Sequence, residues 1–142
     1  MNTVETKETL TPYEQACEKC IDDLYHTAYL ALADADTAEK LVTKICVTGF
    51  HKYGNLENEQ EIRFLLTSEV YHRTKRRLLF STPHTDHLPK QLQVLSKQER
   101  LLVAISFSSG LPEHESARIV GLSPEQYRNT ISDILRKAPL KI

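Results

Sequence analysis

Cys17-Glu18-Lys19-Cys20 is the first constellation along the chain with chemical meaning: two thiols three residues apart, with Cys46, His26 or His51 able to complete a four-ligand zinc site. The setting argues against that use. On a helix, Cys17 and Cys20 fall with Ile21 and Leu24 on one apolar stripe, and free cysteine is among the most buried residue types. No second Cys-x-x-Cys or ordered histidine pair completes the ligand set, and a redox motif would want a βαβ context. His84-Thr85-Asp86-His87 reads as polar linker, and Asp22-Asp23 and Asp34/Asp36 as helix caps and solubilising charges. The chain has no Gly-rich phosphate loop, no GxSxG and no HExxH. No catalytic residue, metal or cofactor is assigned, and the chain is not expected to be an enzyme.

Two other groups of side chains suit nucleic acid. Arg73, Lys75, Arg76 and Arg77 form a basic cluster, and Ser123, Gln126, Arg128, Asn129, Ser132 and Arg136 recur at helical spacing near the C-terminal end. Arg, Gln, Asn and Ser are the types that hydrogen-bond phosphates and base edges. The overall charge of −1 does not favour such a partner, but its distribution does. Residues 1–60 hold five lysines against eleven carboxylates, residues 61–90 six basic against three acidic, and residues 91–142 seven against five. The front is acidic and the back moderately basic, so weak binding by the protein alone is expected.

Positioning these groups falls to helices. Tyr13, Ala16, Cys17, Cys20, Ile21, Leu24, Tyr25 and Ala28 repeat at three and four residues, behind a Thr11 cap, Pro12 at the first helical position and the Glu14 of a capping box. A break near 34–36 precedes a second stripe, Ala38, Leu41, Val42, Ile45, Cys46 and Phe50, which ends at the Gly54-Asn55 turn. A third helix runs from about Asn58 to Leu79, with Ile62, Leu65, Leu66, Val70 and Tyr71 inside. Residues 81–87 have no periodicity. Beyond them come a short helix over 88–95, a helix capped by Ser96 with Glu99, its inner positions Leu101, Leu102, Ile105 and Phe107, and then helices over 112–120 and 124–137. The expected fold class is all-α: two small helical domains, 1–80 and 88–142, joined by the linker 81–87. Four glycines suit short helix connections. No apolar run is long enough to span a bilayer, and Met1 to Leu10 lacks the apolar core of a signal peptide, so a reducing cytoplasm and no membrane are expected.

The last two helices carry the most specific pattern. Ala117 sits where a partner helix approaches closely, and Gly121 falls where a tight turn needs a positive φ. Leu122 plugs the angle, Ser123 caps the second helix, and Pro124 starts it. Tyr127, Ile131 and Ile134 or Leu135 face inward. These offsets fit a DNA-binding helix-turn-helix, against which Glu125 counts as a charge that repels phosphate.

In this order the two blocks resemble a bacterial RNA polymerase sigma factor of the extracytoplasmic-function type. Residues 13–79 are similar to its region 2 and residues 88–138 to its region 4. Leu88-Pro89, then Leu95-Ser96-Lys97-Gln98-Glu99-Arg100, resemble the family's opening of region 4. Ser109-Gly110-Leu111 and Gly121-Leu122-Ser123 recur at its spacing, with Arg128 where Lys is common. The family's polymerase-binding helix reads DAEDLxQExF. Here Ala38, Glu39 and Leu41 match, while Lys40, Thr43 and Lys44 replace Asp, Gln and Glu, and Ile62-Arg63-Phe64-Leu65-Leu66 lacks the frequent Trp.

The resemblance implies that Glu39, Lys40, Leu41 and Lys44 meet core RNA polymerase. It further implies that the Arg73–Arg77 helix end contacts the melted promoter element and that the Gln126–Arg136 face reads the duplex one. Promoter DNA, core polymerase and an anti-sigma protein would be the partners. Two other readings stand beside it: a degenerate relative acting as a stand-alone helix-turn-helix regulator, as a homodimer, and a helical interaction module that does not bind DNA. Lys40 and Lys44 favour these, because two reversed charges on a docking face cost several kcal/mol.

Overall fold

The computed structural model describes residues 9–138; the acidic segment 1–8 and residues 139–142 lie outside them. The described residues are all helical, with no strand. The helices are α1 (Pro12–Leu32), α2 (Ala35–Tyr53), α3 (Glu59–Leu78), a single turn α4 (Lys90–Gln93), α5 (Lys97–Ser108), α6 (Glu113–Val120) and α7 (Pro124–Lys137).

Local sequence sets most of the boundaries. Reciprocal capping boxes start α1 (Thr11 with Glu14, 3.1 and 2.9 Å), α5 (Ser96 with Glu99, 3.1 and 2.9 Å) and α7 (Ser123 with Gln126, both 3.1 Å). Asp34 and Asn58 cap α2 and α3 through their side chains. Between α1 and α2 only Ala33 and Asp34 intervene, and Ala33 takes a left-handed φ of 57° to make the reversal. A non-glycine residue there costs about 1–2 kcal/mol, which its surroundings must offset.

α1 is the centre of the molecule. It packs on α2, α3 and α5, burying Tyr13, Ala16, Cys20, Leu24, Ala28 and Ala31. The sequence divides the chain at residues 81–87, yet the apolar side chains on either side meet in one cluster. Leu24, Ile45, Ile62 and Leu66 of the first three helices share it with Leu101, Ile105, Ala117, Tyr127 and Ile131. A second cluster, Leu88, Leu92, Leu95, Val103, Ile134 and Ala138, gathers around Ala33 at the end of α1. The blocks follow one another in the chain and interlock in the core.

Two arginines cross that seam. Arg100 of α5 is only 4% exposed and donates from Nη2 to the Ala31 carbonyl at 2.9 Å and from Nε to the Leu30 carbonyl at 3.2 Å. Those carbonyls belong to the last turn of α1, which has no intrahelical donors for them. The guanidinium thus caps one block with a side chain of the other. Arg63 of α3 pairs with Asp23 and donates to the Ser109 carbonyl at 3.0 Å. Close beside this pair Gly110 turns the chain at φ 74°.

Three sequence expectations need correction. Ile21 is 39% exposed, lining an open groove with Glu39, Val42 and Thr43 of α2, and Cys17 is half-buried. Phe107 is 42% exposed: α5 ends one residue later and the chain departs without covering it. Phe50, at 48%, lays its ring edge against Tyr13, with centroids 6.0 Å apart, instead of entering the core.

Replacing Arg100 by Ala leaves α1's terminal carbonyls buried without donors. At about 1.5–3 kcal/mol per charged hydrogen bond, the expected loss is about 2–4 kcal/mol, read as a lower urea midpoint at unchanged slope. Lys at this position should fall short of wild type too, since one ammonium cannot reproduce the planar fork. An Arg100→Ala midpoint equal to wild type would show that the seam does not depend on it. The glycines make a second, internal comparison. At Gly121, φ is 82° and an added methyl meets nothing within 4 Å, so Gly121→Ala costs only the backbone term, about 1 kcal/mol. At Gly110 the methyl also runs into the Arg63 guanidinium and comes within 2.9 Å of the Asp23 carboxylate. Gly110→Ala should therefore unfold at distinctly lower urea than Gly121→Ala; equal midpoints would show that the seam ion pair does not constrain this turn.

Candidate nucleic-acid interface

The end of α3 sorts its four basic residues into different roles. Arg73 is tied down: its guanidinium sits 3.3 Å from Glu69, whose carboxylate also receives Tyr53 Oη at 2.6 Å and Lys52 Nζ at 3.2 Å. Burial works to raise the pKa of Glu69, but the bonds from Tyr53 and Lys52 and the Arg73 charge outweigh it and hold the carboxyl below its ordinary value. Lys75 lies 5.9 Å over the Tyr71 ring. Arg76 and Arg77 are exposed, and among the described residues no carboxylate lies within ion-pair distance of either. Charge at a helix C-terminus is favourable in itself, so these two arginines have a structural reason to be there as well as a capacity to meet phosphate.

Next to them the helix runs out at Leu78, and Phe80 projects with 87% of its surface exposed. Phe80, Arg73, Arg76, Arg77, Ser81 and Leu41 line an open groove of about 450 Å³. A bare aromatic ring flanked by uncompensated guanidinium groups is the combination that stacks bases and tracks a phosphate backbone. Tyr71, the other aromatic near this helix end, is 5% exposed and serves the core. The groove also joins Leu41 of α2 to the basic cluster, two sets of residues that the sequence places under different partners.

The second face lies on α7. Tyr127, Ile131 and Ile134 are buried, and Ser123, Gln126, Arg128, Asn129, Ser132 and Arg136 are all exposed, as the helical period requires. α6 meets α7 through the turn at Gly121, and Ala117 of α6 is 0% exposed, a member of the main core cluster. Several of these side chains are already engaged. Gln126 Oε1 accepts from the Ser123 amide. Arg128 holds Glu113 of α6 in a two-pronged pair at 2.7 and 3.3 Å, which keeps the Glu113 carboxyl below its ordinary pKa. Arg136 pairs with Asp133 at 2.5 Å. Asn129 and Ser132 remain with open donors and acceptors. The cationic charge of this face is thus largely balanced within the protein, and exposed pairs of this kind contribute little to stability.

On α2, Glu39, Lys40 and Lys44 are exposed and Leu41 half-buried. Lys40 reaches back one turn to Asp36 at 3.0 Å, while Lys44 has no carboxylate within ion-pair distance among the described residues. Glu39 lies on the other flank of the helix, in a shallow groove with Ile21, Asp22, Tyr25, Val42 and Thr43.

Among the described residues no group of three or more His, Cys, Asp or Glu side chains converges as a metal site, and no helix is long and apolar enough to cross a membrane. Sequence reasoning missed two residues that shape these faces: Glu113 as the partner of Arg128 and Glu69 as the anchor of Arg73. Of the two aromatics the sequence offers beside the basic cluster, Tyr71 and Phe80, only Phe80 is exposed. No family model, no curated protein and no solved structure matches this chain.

Proposed function

We propose that this protein is a cytoplasmic, sigma-like transcription initiation factor that binds core RNA polymerase and promoter DNA and performs no catalysis itself. The observation that carries the reading is the α6–Gly121–α7 unit. A left-handed glycine, a fully buried Ala117 and a capped second helix with an exposed Gln, Arg, Asn and Ser face are what a helix-turn-helix needs to lay a helix in a major groove. The groove at the end of α3 supports the complementary contact with unpaired DNA. In this reading Glu39, Lys40, Leu41 and Lys44 face the polymerase, and an anti-sigma protein is a further partner.

A second reading has its own observation. Lys40 and Lys44 stand exposed on the helix that is acidic in the family. A docking surface with reversed charge repels its old partner. The protein would then act as a stand-alone helix-turn-helix regulator, as a dimer, since one short recognition helix gives modest affinity.

Retention of purified core RNA polymerase from the source bacterium by the immobilised protein decides between the two. The first reading expects retention by wild type. Retention only by a Lys40→Asp/Lys44→Glu variant would transfer the function to the second. Binding to an unpaired oligonucleotide tests the α3 groove separately. Arg76→Ala/Arg77→Ala is expected to weaken binding at least tenfold. Its salt dependence should also become shallower by about 1.4 in log–log slope, about 0.7 for each phosphate left unneutralised. Phe80→Ala is expected to cost about 1–3 kcal/mol, roughly 5- to 150-fold. Wild-type affinity in both variants would remove the groove from the interface.

A further inference from the structure

Residues 81–87 carry no periodicity, yet their backbone is pinned at both ends. Ser81 Oγ donates to the Arg77 carbonyl at 3.1 Å, and the Ser81 carbonyl accepts from Lys97 Nζ at 2.9 Å. Farther along, the Leu88 amide closes a turn on the Thr85 carbonyl at 2.9 Å, and Gln93 Nε2 donates to the carbonyls of Asp86 and Leu88 at 3.2 and 2.6 Å. The segment held in this way walls a cavity of about 330 Å³ between the α1–α2 reversal and the end of α3. Leu32, Ala33 and Pro83 give the cavity its apolar surface, and Arg77, His84, His87 and Asp34 its polar groups. Apolar walls with a few convergent polar side chains, at the small end of the usual size range, are the make-up of a small-molecule site.

Three of those polar groups are uncommitted. Among the described residues the Arg77 guanidinium and the His84 imidazole have no hydrogen-bond partner; His87 has none either, its ring lying near Tyr29 with centroids 6.2 Å apart. Asp34 is engaged but not exhausted. Its carboxylate caps α2, accepting from the Thr37 hydroxyl and from the Thr37 amide at 3.0 Å, and those bonds hold it below the ordinary carboxyl pKa, so it is ionised at neutral pH. A carboxylate offers about four acceptor sites, which leaves room for a further donor.

The two signs of charge select the ligand. A simple anion gains Arg77 but meets the Asp34 carboxylate, and a simple cation gains Asp34 but meets Arg77. A metal ion is not favoured, since no group of three or more His, Cys, Asp or Glu side chains converges among the described residues. A molecule with an anionic and a cationic group on one short frame satisfies both. As a sphere the cavity is about 9 Å across. A carboxylate and an ammonium on one carbon, each with a charged hydrogen bond of about 2.8 Å outward, span about 8 Å. The buried Leu32 and Ala33 and the half-buried Pro83 then cover an apolar side chain. We propose that this cavity binds a free α-amino acid with an apolar or aromatic side chain, its carboxylate at Arg77 and its ammonium at Asp34, flanked by His84 and His87. The inference is independent of the DNA-binding reading and is tested without nucleic acid.

The test is a heteronuclear NMR titration of the nitrogen-labelled full chain at pH 7 with L-phenylalanine. Saturable shifts are expected at the amides of Asp34, Thr37, Arg77, His84 and His87. The Kd should be about 2 mM or tighter, the least expected of a ligand with about twelve non-hydrogen atoms. 3-Phenylpropionate, which lacks the ammonium, and 2-phenylethylamine, which lacks the carboxylate, should each bind at least tenfold more weakly. Arg77→Ala and Asp34→Asn should each weaken phenylalanine binding at least fivefold. Asn caps a helix about as well as Asp, so α2 keeps its start in the second variant, and the same spectra show that each variant is folded. No saturation by about 20 mM, an analogue that binds as tightly as phenylalanine, wild-type affinity in either variant, or shifts confined to other parts of the surface would each overturn the proposal.

Discussion

The arrangement of this protein rests on a single guanidinium. The C-terminal turn of α1 ends inside the molecule, where water cannot take its carbonyls, and the next residues reverse direction at once through a left-handed Ala33. Arg100 supplies the missing donors from 69 and 70 residues away. Burial weakens the hold of Arg100 on its proton, but from a starting value above about 12 the group stays charged. A charged donor held against helix C-terminal carbonyls also gains from the negative end of the helix dipole. The same residue therefore closes α1, makes the sharp turn into α2 tolerable, and fixes α5 against the first block. The second apolar cluster, gathered around Ala33, assembles on that junction.

Given this frame, the two polar faces differ in a way that charge counting along the chain conceals. On α7 the cations are balanced by Glu113 and Asp133, so phosphate would have to displace internal partners and the net electrostatic gain is small. At the end of α3 Arg76 and Arg77 are uncompensated, and Phe80 adds an apolar surface that water solvates poorly. The long-range attraction of the molecule for a polyanion thus comes from α3, while α7 offers directional groups, Asn129 and Ser132 among them, for short-range discrimination. On the proposed DNA-binding reading, steering falls to the α3 face and sequence reading to the α7 face.

What the sequence disclosed follows the range of the interactions. Thr11, Ser96 and Ser123 announce helix starts because a cap and its partner are three residues apart, and the apolar stripes announce themselves within two turns. Gly121 could be read because only one residue type tolerates its backbone cheaply. Arg100 could not be read as a latch, since its acceptors are backbone carbonyls, which carry no residue identity. Glu113 and Arg128 lie 15 residues apart on different helices, so their mutual neutralisation left no periodic trace. Phe107 shows the opposite failure, an apolar residue in correct phase with no neighbour left to cover it.

The shared core also constrains any use of both faces at once. A chain of this size packed as one body is about 36 Å across, close to one helical turn of duplex, about 35 Å. Contacts by α3 and α7 with elements farther apart than that require the seam to part, exposing the cluster that Leu101, Ile105 and Tyr127 share with α1 and α3 and unpairing Arg63 and Arg100. Each separation costs several kcal/mol of hydrogen bonding and burial, which the added contacts must exceed. Sequence elements within one turn carry no such penalty. On the proposed DNA-binding reading, the strength of the Arg100 junction enters directly into which DNA the molecule can engage unaided, and a partner that bound the parted form would extend that reach by taking over the surfaces the seam now covers.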